Sequence, residues 1–125
     1  MLERLQQVTL KSGESSEVVR ITAPEPSWRE RILPFLAHKG PLWDWPMQQA
    51  LTVGLTPLAM RFYLCLVGEE VAGNITTVET LDRPVGILQH VYTNPDHRRK
   101  GICQVLMQAL GDDFVSRQGR ALYLG

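Results

Sequence analysis

Apolar and polar positions alternate with a period of two over several stretches of this chain and with a helical period over others. The two patterns divide it cleanly. Val8-Thr9-Leu10 and Val18-Val19-Arg20-Ile21 flank the polar run Ser12 to Ser16, which predicts a hairpin over residues 1 to 22 that lies at a sheet edge. Pro24 and Pro26 then break the chain. Ser27 and Glu30 have the spacing of a capping box, and Trp28, Ile32, Phe35 and Leu36 give the helix that follows an apolar face. Pro34 lies inside it and removes one N–H, so a kink or two short pieces are expected. Gly40-Pro41 ends it. Asp44, with Pro46 in the first turn, marks the start of a second helix along Met47, Ala50, Leu51 and Leu55. Trp43 and Trp45 sit in the loop between the helices, either as a wall of a small-molecule pocket or as two core anchors.

The next segment is rich in strand formers. Arg61 to Val67 pairs with Val71 to Glu79 across Gly68-Glu69-Glu70, and Leu81-Asp82-Arg83-Pro84 turns the chain into a third antiparallel strand from Gly86 to Thr93. Ile102, Val105, Leu106, Ala109, Leu110 and Phe114 then recur at three- and four-residue spacing, one face of an amphipathic helix. Arg120 to Leu124 is a final strand. It must run parallel to its predecessor, because the crossover is helical.

Length and charge narrow the function classes. At 125 residues the chain is read as one domain, residues 1–125, with an N-terminal hairpin (1–22), helices (23–60), and the meander, loop-helix and last strand (61–125). Thirteen basic residues balance thirteen acidic ones, so no overall field favours nucleic acid or an anionic membrane. The start of the chain does not open a secretory signal and no run approaches the roughly 20 apolar residues of a membrane helix, which places the protein in the cytoplasm. Cys65 and Cys103 form neither a metal set nor a disulfide framework; Cys103 reads first as a small packing residue.

The chemistry concentrates between His90 and Leu110. A strand runs through Asn94-Pro95 into Arg98-Arg99-Lys100-Gly101-Ile102-Cys103 and directly into the amphipathic helix. Helix N-termini carry unpaired N–H groups and partial positive charge, glycine permits close backbone approach, and three cations add attraction for phosphate. Pyrophosphate fits these features. A kinase or phosphatase reading lacks the Gly-rich Lys-Ser/Thr signature.

At these residues the chain resembles the GCN5-related N-acetyltransferases, the GNAT family. Their signature is a hydrophobic strand ending near a proline, then Arg or Gln, two residues, Gly, one residue, and Gly or Ala. Arg98, Gly101 and Cys103 hold those places, Cys103 being the one departure. The resemblance is close over residues 86 to 124 and loose from residue 17. It implies an α+β fold with a mixed, mostly antiparallel sheet and helices on both faces, here truncated after the fifth strand. It also implies acetyl-CoA as co-substrate and transfer of acetyl to a primary amine of a small molecule or peptide. The cofactor-binding residues it implies are Val91, Tyr92 and Thr93 on the strand and Arg98, Arg99, Lys100, Gly101, Ile102 and Cys103 in the loop.

The same resemblance leaves the catalytic residues unknown. A general base often sits on the strand that ends at Thr93, on the acceptor side, and strand alternation would give that side to Gln89 rather than His90. His90 becomes a base only if a bulge re-aims it, and is otherwise a packed or surface histidine. Glu79 is the other candidate, by default a solvated carboxylate. Family members continue past the last strand with a helix and two strands that carry a Tyr able to reprotonate the thiolate. Their absence leaves three readings: a fragment, which is favoured, an edge covered by a partner such as a second copy, or a reduced domain. The alternative function is a non-catalytic coenzyme A-binding domain.

Overall fold

The computed structural model describes residues 1–81 and 85–124. Its elements follow the sequence pattern: β1 (Leu2–Thr9), β2 (Ser15–Thr22), α1 (Arg29–Phe35), α2 (Pro41–Val53), β3 (Leu58–Val67), β4 (Glu70–Thr80), β5 (Val85–Thr93), α3 (Ile102–Ser116) and β6 (Ala121–Leu124). The strands form one sheet in the order β1-β2-β3-β4-β5-β6. All neighbours are antiparallel except β5 and β6, which are parallel as the helical crossover requires. Six strands are present among the described residues, where the sequence reading stopped the fold after a fifth. The N-terminal hairpin is the reason: β1 pairs with β2 from Leu2 to Thr9, and β2 with β3, so the hairpin is part of the main sheet. The turn expected at Leu81 to Pro84 falls outside the described residues beyond Leu81.

Each face of the sheet is covered by its own helices. On one side Val19, Ile21, Met60, Phe62 and Leu64 pack against Ile32 and Leu36 and against Met47, Ala50 and Leu51 of α2. On the other, Val18, Tyr63, Cys65, Ile75 and Leu88 pack against Ile102, Leu106, Ala109 and Leu110 of α3. Alternating strand residues thus supply two cores from one set of strands. The apolar stripe of α3 can lie close because β4 has Gly73 beneath it. A Cβ there would stand 2.5 Å from Cγ2 of Ile102 and 3.2 Å from Cδ1 of Leu106.

Two expectations for the first helices change. Ser27 donates to Glu25 and forms no capping box with Glu30. Pro34 does divide the segment, leaving the seven-residue α1 followed by a short 3-10 turn, Ala37–Lys39. The second helix begins at Pro41 with Gly40 as its N-cap, earlier than Asp44, because proline's fixed φ suits the first helical position and its missing N–H costs nothing there. Trp43 and Trp45 therefore belong to the first turns of α2. They are 45% and 66% exposed, which removes the reading as core anchors.

Beneath the C-terminal end of α3 lies a buried ionic network. Glu79, 2% exposed, accepts from Arg117 at 2.9 and 3.2 Å and from Thr77 at 2.8 Å, and pairs with Arg61 at 3.0 Å. Asp113 accepts from the Tyr63 hydroxyl at 2.6 Å, Arg20 at 2.6 Å and Arg117 at 3.0 Å. Burial opposes ionisation of Asp113, but the hydrogen bonds from Tyr63, Arg20 and Arg117 outweigh it and hold its carboxyl below the usual range. Burial and the Asp113 carboxylate together push the Tyr63 phenol up. The network fastens α3 to three adjacent strands. Glu79 is thus neither a solvated carboxylate nor free to act as a base.

Neutralising Glu79 leaves two guanidinium groups without their shared buried partner. Glu79→Gln is expected to lower unfolding free energy by about 3 kcal/mol in urea titration. A change under about 0.5 kcal/mol would contradict the network's role.

Candidate active site

β5 carries one residue more than its partner strand needs. Asn74 stands opposite Tyr92 and Thr76 opposite Gln89, so Ile75 alone faces both His90 and Val91. This is a bulge, and His90 takes up its backbone at φ 53, the left-handed region that non-glycine residues adopt at a cost on the order of 1 kcal/mol. The consequence is a change of face. Leu88 packs on the α3 side, whereas Tyr92, four residues on, packs on the α1 and α2 side. His90 goes with Tyr92. Its ring meets that of Trp43 edge-on, centroids 5.3 Å apart. Strand alternation would have set His90 on the face opposite Gln89; the bulge, which the sequence reading allowed for, re-aims it.

The side chain of Asn74 holds the bulge in place. Its Nδ2 donates to the carbonyl of His90 and to Oγ1 of Thr76, each at 2.9 Å. Two polar atoms at this spot, Nε2 of His90 and Oδ1 of Asn74, are buried with no hydrogen-bond partner among the described residues. Buried polar groups are nearly always satisfied, so an unpaired pair beside a strained residue marks a place that a ligand or water completes. Burial is the main reason the His90 imidazole is held below its ordinary pKa, and the positive charge of Lys39 and then His38 acts in the same direction. Neutral imidazole is the form that accepts a proton.

On the other side of β5, the strand leads into the basic loop. Asn94 caps the 3-10 turn Pro95–His97 by accepting from Asp96 N–H at 2.9 Å. Arg99 (φ 67) and Gly101 (φ 80) both adopt left-handed backbone, which curls the loop around the start of α3. Gly101 is the N-cap, and no side chain caps the helix. The N–H groups of the first turn therefore face a depression of about 290 Å³ lined by Thr93, His97, Arg98, Arg99, Gly101, Ile102, Cys103 and Gln104. Neither the Arg98 nor the Arg99 guanidinium is in an ion pair among the described residues, and both are exposed.

The sequence-predicted residues divide by role. Thr93, Arg98, Arg99, Gly101 and Cys103 line the depression, and Cys103 is exposed there, so it is not the packing residue expected. Ile102 sends its side chain into the core beneath α3, leaving only its backbone to the loop. Lys100 turns away: its ammonium binds Glu14 at 2.5 Å and Nδ1 of His97 at 3.0 Å. Among the described residues the loop thus offers two free cations rather than three. Val91 is exposed, and Tyr92 is on the opposite side of the strand, where it packs on Phe35 and His38. Glu79 is in the network under α3, outside this site.

Sequence reasoning missed His97 and Asn74. His97 is buried and bridges Lys100 to Glu70, which accepts from Nε2 at 2.9 Å, so the base of the loop is tied to β4. The i, i+3 spacing of His97 and Lys100 was the available signal. For Asn74 it was a polar amide in the middle of an otherwise strand-forming segment, a residue disfavoured there unless it has buried work to do.

Comparisons with known proteins bear on the family and the fold. The family model described as "Acetyltransferase (GNAT) family" matches residues 22–125. The chain belongs to the GNAT acetyltransferase family. A comparison with curated proteins returns no match. Among solved structures, a ribosomal-protein-alanine N-acetyltransferase from Brucella melitensis biovar Abortus 2308 is similar at a TM-score of 0.68 and 19% identity, over 88% of this chain and 79% of that one. A GNAT-family acetyltransferase from Staphylococcus aureus MU50 has a TM-score of 0.68 and 17% identity, over 86% and 72% of the two chains. AAC(6')-Iy, solved with the bisubstrate analog CoA-S-monomethyl-acetylneamine, has a TM-score of 0.64 and 11% identity, over 88% and 78%. At these identities the likeness shows the GNAT fold.

Asn74→Ala removes both hydrogen bonds that pin the bulge. A stability loss of roughly 1–3 kcal/mol is expected, together with faster amide hydrogen exchange across residues 89 to 92. Unchanged exchange there would mean that Asn74 does not hold the bulge.

Proposed function

We propose that this GNAT chain transfers an acetyl group from acetyl-CoA to a primary amine of a small molecule or peptide, with His90 as the general base. The observation that carries the reading is β5 itself. It runs from the bulge, where His90 turns toward α2, into the uncapped N-terminus of α3, so a base and an anion site lie along one strand. The cytoplasmic location read from the sequence belongs to this proposal; among the described residues no helix is long and apolar enough to cross a membrane.

The loop fits a pyrophosphate by its own chemistry. First-turn N–H groups of α3, left-handed backbone at Arg99 and Gly101, and the unpaired guanidinium groups of Arg98 and Arg99 all favour a phosphate oxygen. Lys100 acts indirectly, by fastening the loop to Glu14 and His97. The ladder between β5 and β6 ends at Leu88 and Leu124, and no described strand pairs with that edge of β5 over Gln89 to Thr93. Its backbone groups are therefore available to the amide-bearing arm of the co-substrate, and Val91 to Thr93 are the residues assigned to it.

Acetyl-CoA supplies an activated acyl carbon and a thiolate leaving group. The residues of the chain arrange the rest. His90 takes the proton that the amine must lose as its nitrogen lone pair bonds to the acyl carbon; the C–S electron pair departs with sulfur, which takes up a proton to become the thiol. General-base assistance of this kind contributes typically 10²–10⁴-fold.

Two measurements test the assignment separately. In calorimetry, Gly101→Glu is expected to abolish acetyl-CoA binding, since it places a carboxylate at the anion site, adjacent to Lys11, and strains a left-handed residue. Affinity equal to wild type would remove the loop assignment. In steady-state kinetics, the acidic limb of kcat/KM should have its midpoint below the ordinary histidine value of about 6.5, because burial and neighbouring cations keep His90 neutral to lower pH. His90→Gln should lower kcat about 100-fold or more and erase that limb while leaving acetyl-CoA affinity unchanged. An identical limb in His90→Gln would place the base elsewhere, and acetyl-CoA binding with no transfer to any amine would favour the non-catalytic reading.

A further inference from the structure

Two buried polar atoms at the bulge have complementary needs. Asn74 is fully buried on β4, and its Nδ2 donates to the carbonyl oxygen of His90 and to Oγ1 of Thr76, each at 2.9 Å. A carbonyl can only accept, so the amide orientation is fixed: its nitrogen faces His90, and Oδ1 is turned elsewhere. Oδ1 is buried and receives no hydrogen bond among the described residues, and Nε2 of His90 is buried and unpaired among them as well. The other buried side-chain atoms left unpaired there are Nε of Arg20 and Nε of Arg61, both donors. Among the described residues Oδ1 is therefore the buried side-chain acceptor that lacks a donor, and it belongs to the residue that grips His90.

The two nitrogens of the imidazole differ in kind. Nδ1 makes no hydrogen bond among the described residues, yet it is not enclosed as Nε2 is. A neutral imidazole carries one N–H and one lone pair, and the partner of one nitrogen sets the role of the other. A lone pair at Nε2 would leave two buried acceptors at the bulge with no donor for either. An N–H at Nε2 supplies what Oδ1 lacks. The two atoms do not bond one another directly, and one buried water, accepting from Nε2–H and donating to Oδ1, satisfies both. The charged groups nearest in the fold are His38 and Lys39, from the turn Ala37–Lys39, and Asp44, which follows Trp43 on the first turn of α2. None of them hydrogen-bonds the ring among the described residues, so none of them sets its tautomer.

We infer that Asn74 is a positioning residue for the general base: through one buried water its Oδ1 holds the proton of His90 on Nε2, which leaves the Nδ1 lone pair to take the proton of the acceptor amine. The inference rests on the acetyl-transfer reading above and names the reactive nitrogen and the group that selects it. As the amine nitrogen bonds to the acyl carbon, its N–H bond breaks, the electron pair of that bond stays on nitrogen, and the proton passes to Nδ1. The C–S pair leaves with sulfur. The imidazolium so formed keeps Nε2–H directed through the water to Oδ1, whose dipole favours the positive ring.

The test reads the ring directly and then its titration. Heteronuclear imidazole NMR of the wild-type chain, with His90→Gln identifying the signal, should find the proton on Nε2 and Nδ1 bare. The Nδ1–H tautomer overturns the inference, and since this measurement needs neither turnover nor an Asn74 variant, it decides the matter even where a variant fails to fold. Steady-state kinetics then compares Asn74→Asp with Asn74→Leu. Both lose the Nδ2 donor, so a residue that only braces the bulge requires the two to behave alike. Aspartate keeps an acceptor and adds a negative charge that favours the imidazolium, so the midpoint of the acidic limb of kcat/KM should rise by about one pH unit or more, with the Nε2–H tautomer retained. Leucine should mix the tautomers and lower kcat about tenfold or more without raising that midpoint, while acetyl-CoA affinity in calorimetry stays at the wild-type value. Equal limbs in the two variants overturn the role of Oδ1. Nδ1–H in a chain that does transfer acetyl overturns the inference alone; Nε2–H in a chain that acetylates no amine overturns the acetyl-transfer reading and with it the role given to Asn74.

Discussion

The extra residue in β5 is the constraint that organises the rest of the molecule. A regular strand would present Leu88, His90 and Tyr92 to one face. With the bulge, Leu88 closes the core under α3 and Tyr92 that under α1, while His90 is delivered to the α2 side. The left-handed backbone at His90 costs energy, and the surrounding structure overdetermines it: Asn74 grips its carbonyl from the neighbouring strand, and the regular ladder resumes on either side. The unpaired Nε2 of His90 and Oδ1 of Asn74 are what remains unsatisfied after that arrangement.

The α3 side is built for rigidity. Gly73 lets the helix lie close on β4, and Glu79 and Asp113 fasten its far end through Arg117, Arg61, Arg20 and Tyr63. At its near end, His97 and Lys100 clamp the loop to Glu70 and Glu14. An anion site made of helix N–H groups works only if those groups are fixed in direction before the ligand arrives. The buried network at its far end and the partly exposed clamp at its near end provide that fixity, while Arg98 and Arg99 pair with no described carboxylate.

Much of this was legible in the chain. Period-two and helical patterning located every strand and all three main helices, because each buries one face against the sheet, and the Arg98, Gly101 and Cys103 spacing pointed to the loop. The bulge was not legible, since alternation assumes one residue per register step and a single unaligned strand carries no sign of an insertion relative to its partner. Glu79 was misread for a related reason. Its guanidinium partners come from β3 and from the end of α3, and sequence distance conceals them. The early start of α2 followed from Pro41, a signal outweighed in the sequence by Asp44 as a better N-cap residue.

The most direct test of this account is an amide-resolved NMR titration of the chain with acetyl-CoA. The account predicts shifts concentrated at residues 91–93 and 99–104, with the His90 imidazole remaining neutral at pH 7 throughout. Shifts confined to another surface, such as the part of the groove between β1 and α3 lined by Val8, Leu10, Val105 and Gln108, would contradict it.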